Sequence, residues 1–376
     1  MKQFSIAASF ILLLIAIFFN LSFKSKSVID YQELREIYSK TPSAWPNPSV
    51  DEGIVHQELG LLPEPTFPKE NPYSKEKAQL GKLLFFDPRL SKSGQIACAS
   101  CHDSELGWGD GRKGAYGHNR RRGKRNASTL LNVAFVKDLF WDGRAHSLEH
   151  QAFFPIQDTL EMNTDLAEMV NTLSGIKGYN SYFSVAFGDE KVTLERISQA
   201  LATYHRTIKS RASKFDLFLK GRKDILSDEE LLGLHLFRTK ARCINCHNGP
   251  LFSDNEFHND GFTFFGRPEE DLGRYWVTND PKDVGAFRTP SLRDVQFTGP
   301  WMHTGTMADL DEIIDMYNLG MPQPIPKSAQ DRPLLPKSSP LLKKLDLTSA
   351  EKKALKAFLG AISARPYPVK PPELPQ

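Results

Sequence analysis

Residues 98–102 read CASCH and residues 243–247 read CINCH, and these two pentapeptides hold all four cysteines of a 376-residue chain. Three chemistries use cysteines paired in this way. A disulfide across a CxxC closes a very small loop and stabilises little. A compact zinc ribbon sets its two CxxC pairs about 15–20 residues apart, whereas Cys101 and Cys243 are 142 positions apart. Attachment of c-type haem uses both thiols for thioether bonds and the following histidine as an iron ligand. Two complete copies with no spare cysteine favour the third chemistry. Cys98, Cys101 and His102 are therefore expected to hold one covalent haem c, and Cys243, Cys246 and His247 a second.

Each motif follows a segment with helical periodicity. Residues 75–86, KEKAQLGKLLFF, place Ala78, Leu80, Leu83, Leu84 and Phe86 near helical spacing. Residues 227–237, SDEELLGLHLF, open with Ser227 and carry Glu230 three positions on, a capping box. The run 348–362, TSAEKKALKAFLGAI, starts the same way. Further helices are predicted over 164–174, 193–209 and 309–318, and strand-like alternation is scarce. Helix, CxxCH, long loop and C-terminal helix is the order of a small cytochrome c domain. The expected fold is all-α, with two cytochrome c-like haem domains and long loops. The N-terminal domain spans 25–222 and the C-terminal one 223–364, divided near GRKDILSDEE at 221–230. The Pro-rich stretches 41–68 and 365–376 are expected to be extended or mobile arms.

A chain that is 40% hydrophobic and 25% charged has an ordinary globular balance. A formal charge of +3 carries no nucleic-acid signal, and no nucleotide motif is present. The mildly basic balance would favour acidic partners. The N-terminus, MKQFSIAASFILLLIAIFFNLSF, has a charged start and an uncharged apolar run over 4–19. That is the pattern of an export signal. No small-x-small cleavage site and no lipobox cysteine follow it, so residues 1–24 read as a signal peptide or an uncleaved membrane anchor. The expected location is the periplasm.

The stretch 117–163 places Trp141, Gln151 and Glu161 in one run, with Asn126 and Arg144 nearby. Peroxide cleavage at a haem needs a base that moves a proton between the two oxygens. It also needs a polar group that orients the peroxide and a route for electrons. A carboxylate, an amide and an indole are suitable parts.

With these blocks in place, the chain resembles the bacterial diheme cytochrome c peroxidases and the related MauG-type diheme enzymes. The resemblance lies in LGKLLFFDPRLSKSGQIACASCHD, RNASTLLNVAF, FWDGRAHSLEHQA, LEMN, CINCHNGPLFSD and FRTPSLRDVQFTGPWMHTGTMADL, from about residue 77 to 318. It implies that the His102 haem reacts with peroxide. The family's glutamine and glutamate, ten and twenty residues after the tryptophan of FWDGRA, fall on Gln151 and Glu161. Glu161 would be the acid/base and Gln151 the orienting amide. Trp141 would bridge the two haems, with Phe140 packed beside it, and Arg144 would meet a haem propionate. His118, sixteen residues after His102, takes the place of a removable distal ligand on the first iron. Its basic flank NRRRGKR could seat an acidic donor. One calcium ion would lie between the domains on the Asn126 side chain and the carbonyls of Thr298 and Pro300.

The second haem needs a sixth ligand. Fourteen residues after His303 the peroxidases carry Met and the MauG-type enzymes Tyr, and this chain has Tyr317. Met302, Met307, Met316 and Met321 lie close by, but Met316 and Tyr317 are about 100° apart on a helix, so only one can face the iron. Phenolate lowers the potential of a haem and thioether raises it. The leading expectation is a diheme peroxidase reducing H2O2 with electrons from a small cytochrome c or a copper protein (cupredoxin), and the resemblance adds pairing as a homodimer. The alternatives are MauG-like oxidation of a side chain on a partner protein, and a non-catalytic diheme electron carrier.

Overall fold

A computed structural model describes residues 30–376. The expected signal or anchor over 1–24 lies outside the described residues. Within them the architecture is mostly helical: α1 (Tyr31–Ser39), α2 (Lys75–Phe86), α3 (Leu148–Gln151), α4 (Phe153–Gln157), α5 (Leu166–Ser174), α6 (Asn180–Phe187), α7 (Leu194–Arg206), α8 (Lys214–Leu219), α9 (Asp228–Arg238), α10 (Tyr275–Thr278), α11 (Leu310–Asn318) and α12 (Ser349–Ala361). Two dipeptide strands, β1 (Phe257–His258) and β2 (Phe287–Arg288), pair antiparallel with Phe257 opposite Arg288. Among the described residues no helix is long and apolar enough to cross a membrane.

The helix starts follow the sequence. Ser74 Oγ accepts from the Lys77 N–H at the head of α2, and Thr193 caps α7 in the same way through Arg196. Ser227 with Glu230 and Thr348 with Glu351 form full capping boxes on α9 and α12. Such caps satisfy N–H groups that the helix itself leaves unpaired, at about 1 kcal/mol each.

The same packing unit occurs twice. Helix α2 crosses α7 ahead of the first CxxCH, and α9 crosses α12 ahead of the second. At each crossing the backbones touch at a glycine. A Cβ on Gly81 would lie 2.6 Å from the Ala200 carbonyl carbon and 2.8 Å from Tyr204 Cβ. A Cβ on Gly233 would lie 2.6 Å from Phe358 Cβ and 2.8 Å from the Ala354 carbonyl carbon. Only glycine permits either approach.

Around the first crossing Leu80, Leu84, Phe85, Trp108, Phe183 and Ile197 form one apolar core. Around the second, Tyr38, Phe215, Phe237, Phe252, Ala354 and Phe358 form another. Burial of each large side chain is worth roughly 1.5–3 kcal/mol. Phe215 and Phe218 belong to the second core and Ile208 to the first. The division between cores thus falls at 209–214, ahead of the 221–230 stretch that the composition suggested.

The arms differ from expectation. Leu34, Tyr38, Trp45 and Leu59 are buried in the second core, so the N-terminal arm covers the C-terminal half. Glu58 pairs with the buried Arg238. The C-terminal tail crosses the other way: Val369 packs on the first core and its N–H donates to Ser104 Oγ at 2.8 Å. Arg89 Nη2 donates to the Pro375 carbonyl at 2.8 Å, and the Gly178 N–H to the Gln376 carbonyl at 2.8 Å. Proline supplies no N–H, so these extended arms are held through carbonyls, the N–H groups of non-proline residues such as Val369 and Asp51, and a few apolar side chains.

Candidate active site and haem attachment sites

Each CxxCH begins as a single 3-10 turn, Cys98–Ser100 and Cys243–Asn245, in which the His backbone N–H donates to the carbonyl of the first cysteine, at 3.0 Å for His102 and 2.8 Å for His247. This places both thiols and the imidazole on one side of the turn. No disulfide joins either pair. Burial pushes the Cys98 and Cys243 thiols up to about 12, so neither is an activated thiolate.

His102 Nδ1 lies 3.0 Å from the Trp108 carbonyl, and His247 Nδ1 lies 3.0 Å from the Phe252 carbonyl. A carbonyl only accepts, so the proton sits on Nδ1 and each Nε2 keeps its lone pair for a metal. Burial lowers the pKa of both rings, which favours the neutral ligating form. These residues fit two covalently held haems.

Cys98, Cys101 and His102 open onto a cavity of about 1140 Å³. The same cavity is lined by Trp141, Arg144, Gln151 and Glu161, and by Asn126. The structure therefore gathers residues spread over more than sixty positions of sequence around the first attachment motif. The Trp141 indole is buried and its Nε1–H donates to the Asn126 carbonyl at 3.0 Å. Gln151 ends the short helix α3, which Ser147 caps through the His150 N–H. Glu161 follows a turn closed by its own N–H on the Asp158 carbonyl at 3.0 Å. Burial, with Asp158 adding to it and Arg144 opposing, raises the Glu161 carboxyl to about 7. A carboxyl at that value can both accept and return a proton near neutral pH.

Arg144 has a protein partner. Its guanidinium stacks 3.6 Å over Phe140 and donates to Asp142 at 2.9 Å. Phe140 packs against Phe154, with ring centroids 5.4 Å apart. His118 is not among the side chains lining the cavity. Its backbone N–H donates to the Glu161 carbonyl at 2.7 Å, and its buried Nδ1 has no partner.

Asn126 donates from Nδ2 to the Arg112 carbonyl at 2.9 Å, which leaves Oδ1 as its unused acceptor. Its N–H donates to the His303 carbonyl at 2.8 Å, tying it to the segment that follows Thr298 and Pro300. An oxygen donor of this kind suits a hard cation.

On α11, Tyr317 and Met316 part as the helical rotation requires. The Tyr317 phenol is pushed far above its ordinary range by burial, and next by Asp260 and the sulfurs of Cys246 and Cys243. Met316 lines a separate small pocket with Phe262, Phe265 and Gln323.

Among the cavity residues to which the sequence reading gave no role are His205, Arg288 and His303. Both ring nitrogens of His205 and of His303 are buried without a partner among the described residues. His303 stacks on Phe287 at 3.5 Å and meets Trp141 edge-on at 6.3 Å. Arg288 and His303 lie inside FRTPSLRD and MHTG, but nothing in those strings says that they face a cavity.

Comparison with known proteins agrees with this geometry. A family model described as di-haem cytochrome c peroxidase matches residues 75–224. The cytochrome-c peroxidase IdrP1 of Pseudomonas sp. (strain SCT) is 37% identical over 344 residues, covering 84% of this chain and 88% of that protein. The methylamine utilization protein MauG of Methylophilus methylotrophus is 38% identical over 315 residues, covering 82% and 89%. Among solved structures, a MauG-like protein associated with microbial copper homeostasis superposes with a TM-score of 0.72 at 32% identity, covering 80% of this chain and 93% of that one. The diheme peroxidase BthA from Burkholderia thailandensis E264, at 23% identity and a TM-score of 0.66, shares the fold over 88% of this chain and 98% of its own. With relatives above 30% identity along most of its length, the chain belongs to the di-haem cytochrome c peroxidase family.

Proposed function

We propose that the protein is an exported, periplasmic diheme c-type peroxidase that reduces H2O2 to two waters with two protons and two electrons, drawn from a small cytochrome c or a copper protein. The observation that carries this reading is the convergence of Glu161, Gln151 and Trp141 on the cavity that holds Cys98, Cys101 and His102. The haem on His102 would supply the iron at which the O–O bond is reduced. Glu161, its carboxyl raised to about 7, takes the proton from one peroxide oxygen and returns it to the other. The Gln151 amide holds the peroxide in line. The indole of Trp141, fixed on the Asn126 carbonyl, stands on the electron route between the two haem sites. A calcium ion on Asn126 Oδ1 and the Thr298 and Pro300 carbonyls would brace that junction. In this reading, the core on the N-terminal side of 209–214 and the core on its C-terminal side each carry one haem.

A specific observation keeps a second reading in view. Cys246 and Cys243 act electrostatically on the Tyr317 phenol, while Met316 lines a pocket that contains neither cysteine. Phenolate ligation lowers the potential of that haem and suits oxidation of a partner protein over storage of a donor's electron.

Steady-state H2O2 turnover with a reduced small cytochrome c, measured before and after pre-reduction, tests the choice. Fast donor oxidation supports the peroxidase. Negligible donor oxidation by a protein carrying both haems would overturn it in favour of the second reading.

A further inference from the structure

Four arginines of the described chain are almost fully buried: Arg206, Arg238, Arg288 and Arg293. Three of them hold a carboxylate. Arg206 pairs with Glu149, Arg238 with Glu58 and Arg293 with Asp216. Arg288, 7% exposed, has no carboxylate within ion-pair distance among the described residues. A buried guanidinium without a counter-ion is costly, so a fold that keeps three such groups paired leaves the fourth for a reason.

The surroundings of Arg288 orient it. Its backbone N–H donates to the Trp141 carbonyl at 2.8 Å. Nε donates to the Phe140 carbonyl at 3.3 Å and Nη1 to the Thr289 carbonyl at 3.1 Å. Those acceptors are neutral. Nη2 has no acceptor among the described residues, and the side chain lines the cavity that contains Cys98, Cys101, His102 and Trp141. Asp138 acts on it only at a distance and is itself engaged by His146 at 2.7 Å. Burial accordingly lowers the guanidinium to about 10. Arg144, the residue that sequence reasoning favoured for a propionate, already has Asp142.

We infer that Arg288 is the anion anchor of this cavity and that its ligand is a propionate carboxylate of the haem attached at Cys98 and Cys101. A guanidinium held by two backbone carbonyls presents its remaining N–H groups in a fixed fork, which matches a carboxylate. Because Arg288 also bonds the Phe140 and Trp141 carbonyls, the same contact fixes the cofactor edge against the bridging tryptophan. The inference rests on the two-haem reading, which the haem-to-protein ratio tests by itself: a ratio of two supports that reading whatever Arg288 does.

The test compares wild type with Arg288→Met and Arg288→Lys in the haem-loaded protein. Spectroelectrochemical titration resolves both haems across pH. In Arg288→Met the midpoint potential of the first haem falls, since a positive charge that favours the reduced form is gone. It also gains a pH dependence, as the unpaired propionate now titrates. Arg288→Lys restores most of both. A purely structural Arg288 would lower the melting temperature and leave both potentials in place, which overturns the inference. A shift confined to the second haem overturns it as well. So does a wild-type potential that moves with added phosphate, because the ligand would then be an exchangeable anion.

Discussion

The backbone N–H of His118 donates to the carbonyl of Glu161 at 2.7 Å. The loop that carries the candidate distal ligand is thereby fastened to the residue that carries the candidate acid/base. Gly117 makes the contact possible: a Cβ there would fall onto the Leu160 carbonyl oxygen and lie 2.6 Å from Glu161 Cα. Gly117→Ala should push the two segments apart. Peroxide turnover should fall while both haems remain attached, and overpacking should cost about 1–3 kcal/mol in denaturant unfolding. Unchanged turnover with unchanged stability would show that the two segments are not coupled.

Glu161 makes a prediction about pH. Its carboxyl is raised from 4.5 to about 7 in the folded chain, chiefly by burial. Between those values the native state holds more protons than the unfolded state, so stability falls as pH rises across the window. The full effect is roughly 3 kcal/mol. Glu161→Gln should flatten this slope in unfolding measurements between pH 4 and 8. In the enzyme, the second-order rate with peroxide should rise with pH through about 7, as the carboxylate form becomes available. That limb should vanish in the variant.

The repeated crossing predicts a matched pair of folding defects. Gly81→Ala and Gly233→Ala each insert a Cβ into a helix–helix contact that has no room for it. Each should destabilise by about 1–3 kcal/mol or more. Gly81→Ala should impair haem retention at Cys98 and Cys101, and Gly233→Ala at Cys243 and Cys246. Equal loss of both haems in either variant would argue against two cores that each hold one attachment motif.

At the second haem, Tyr317→Met should raise the midpoint potential by more than about 60 mV, a tenfold change in the redox equilibrium. Met316→Leu should leave it in place, because the pocket that Met316 lines contains none of Cys243, Cys246 and His247. A shift produced by Met316→Leu alone would transfer the ligand role to the thioether.

Much of this was readable from the chain. The two CxxCH strings named the candidate attachment residues, and Ser227–Glu230 and Thr348–Glu351 marked helix starts that the structure retains. The counted positions of Gln151 and Glu161 fall on one cavity. What could not be read depends on long-range geometry. The crossed arms owe their places to burial of a few side chains such as Trp45 and Val369 within otherwise Pro-rich sequence. Arg288 and Arg144 look alike as letters. They separate only when one finds Asp142 and the other finds backbone carbonyls. His118 shows its spacing from His102 in sequence but not its backbone tie to Glu161.

The most direct test of the account is H2O2 turnover by purified protein carrying two haems, wild type against Glu161→Gln, at matched haem content. The account predicts a loss of about 100-fold to 10,000-fold in the variant, with the ground-state haem spectra largely kept and a melting temperature near neutral pH no lower than that of wild type. Turnover in Glu161→Gln equal to that of wild type would contradict the catalytic role of Glu161 and leave a diheme electron carrier as the better description.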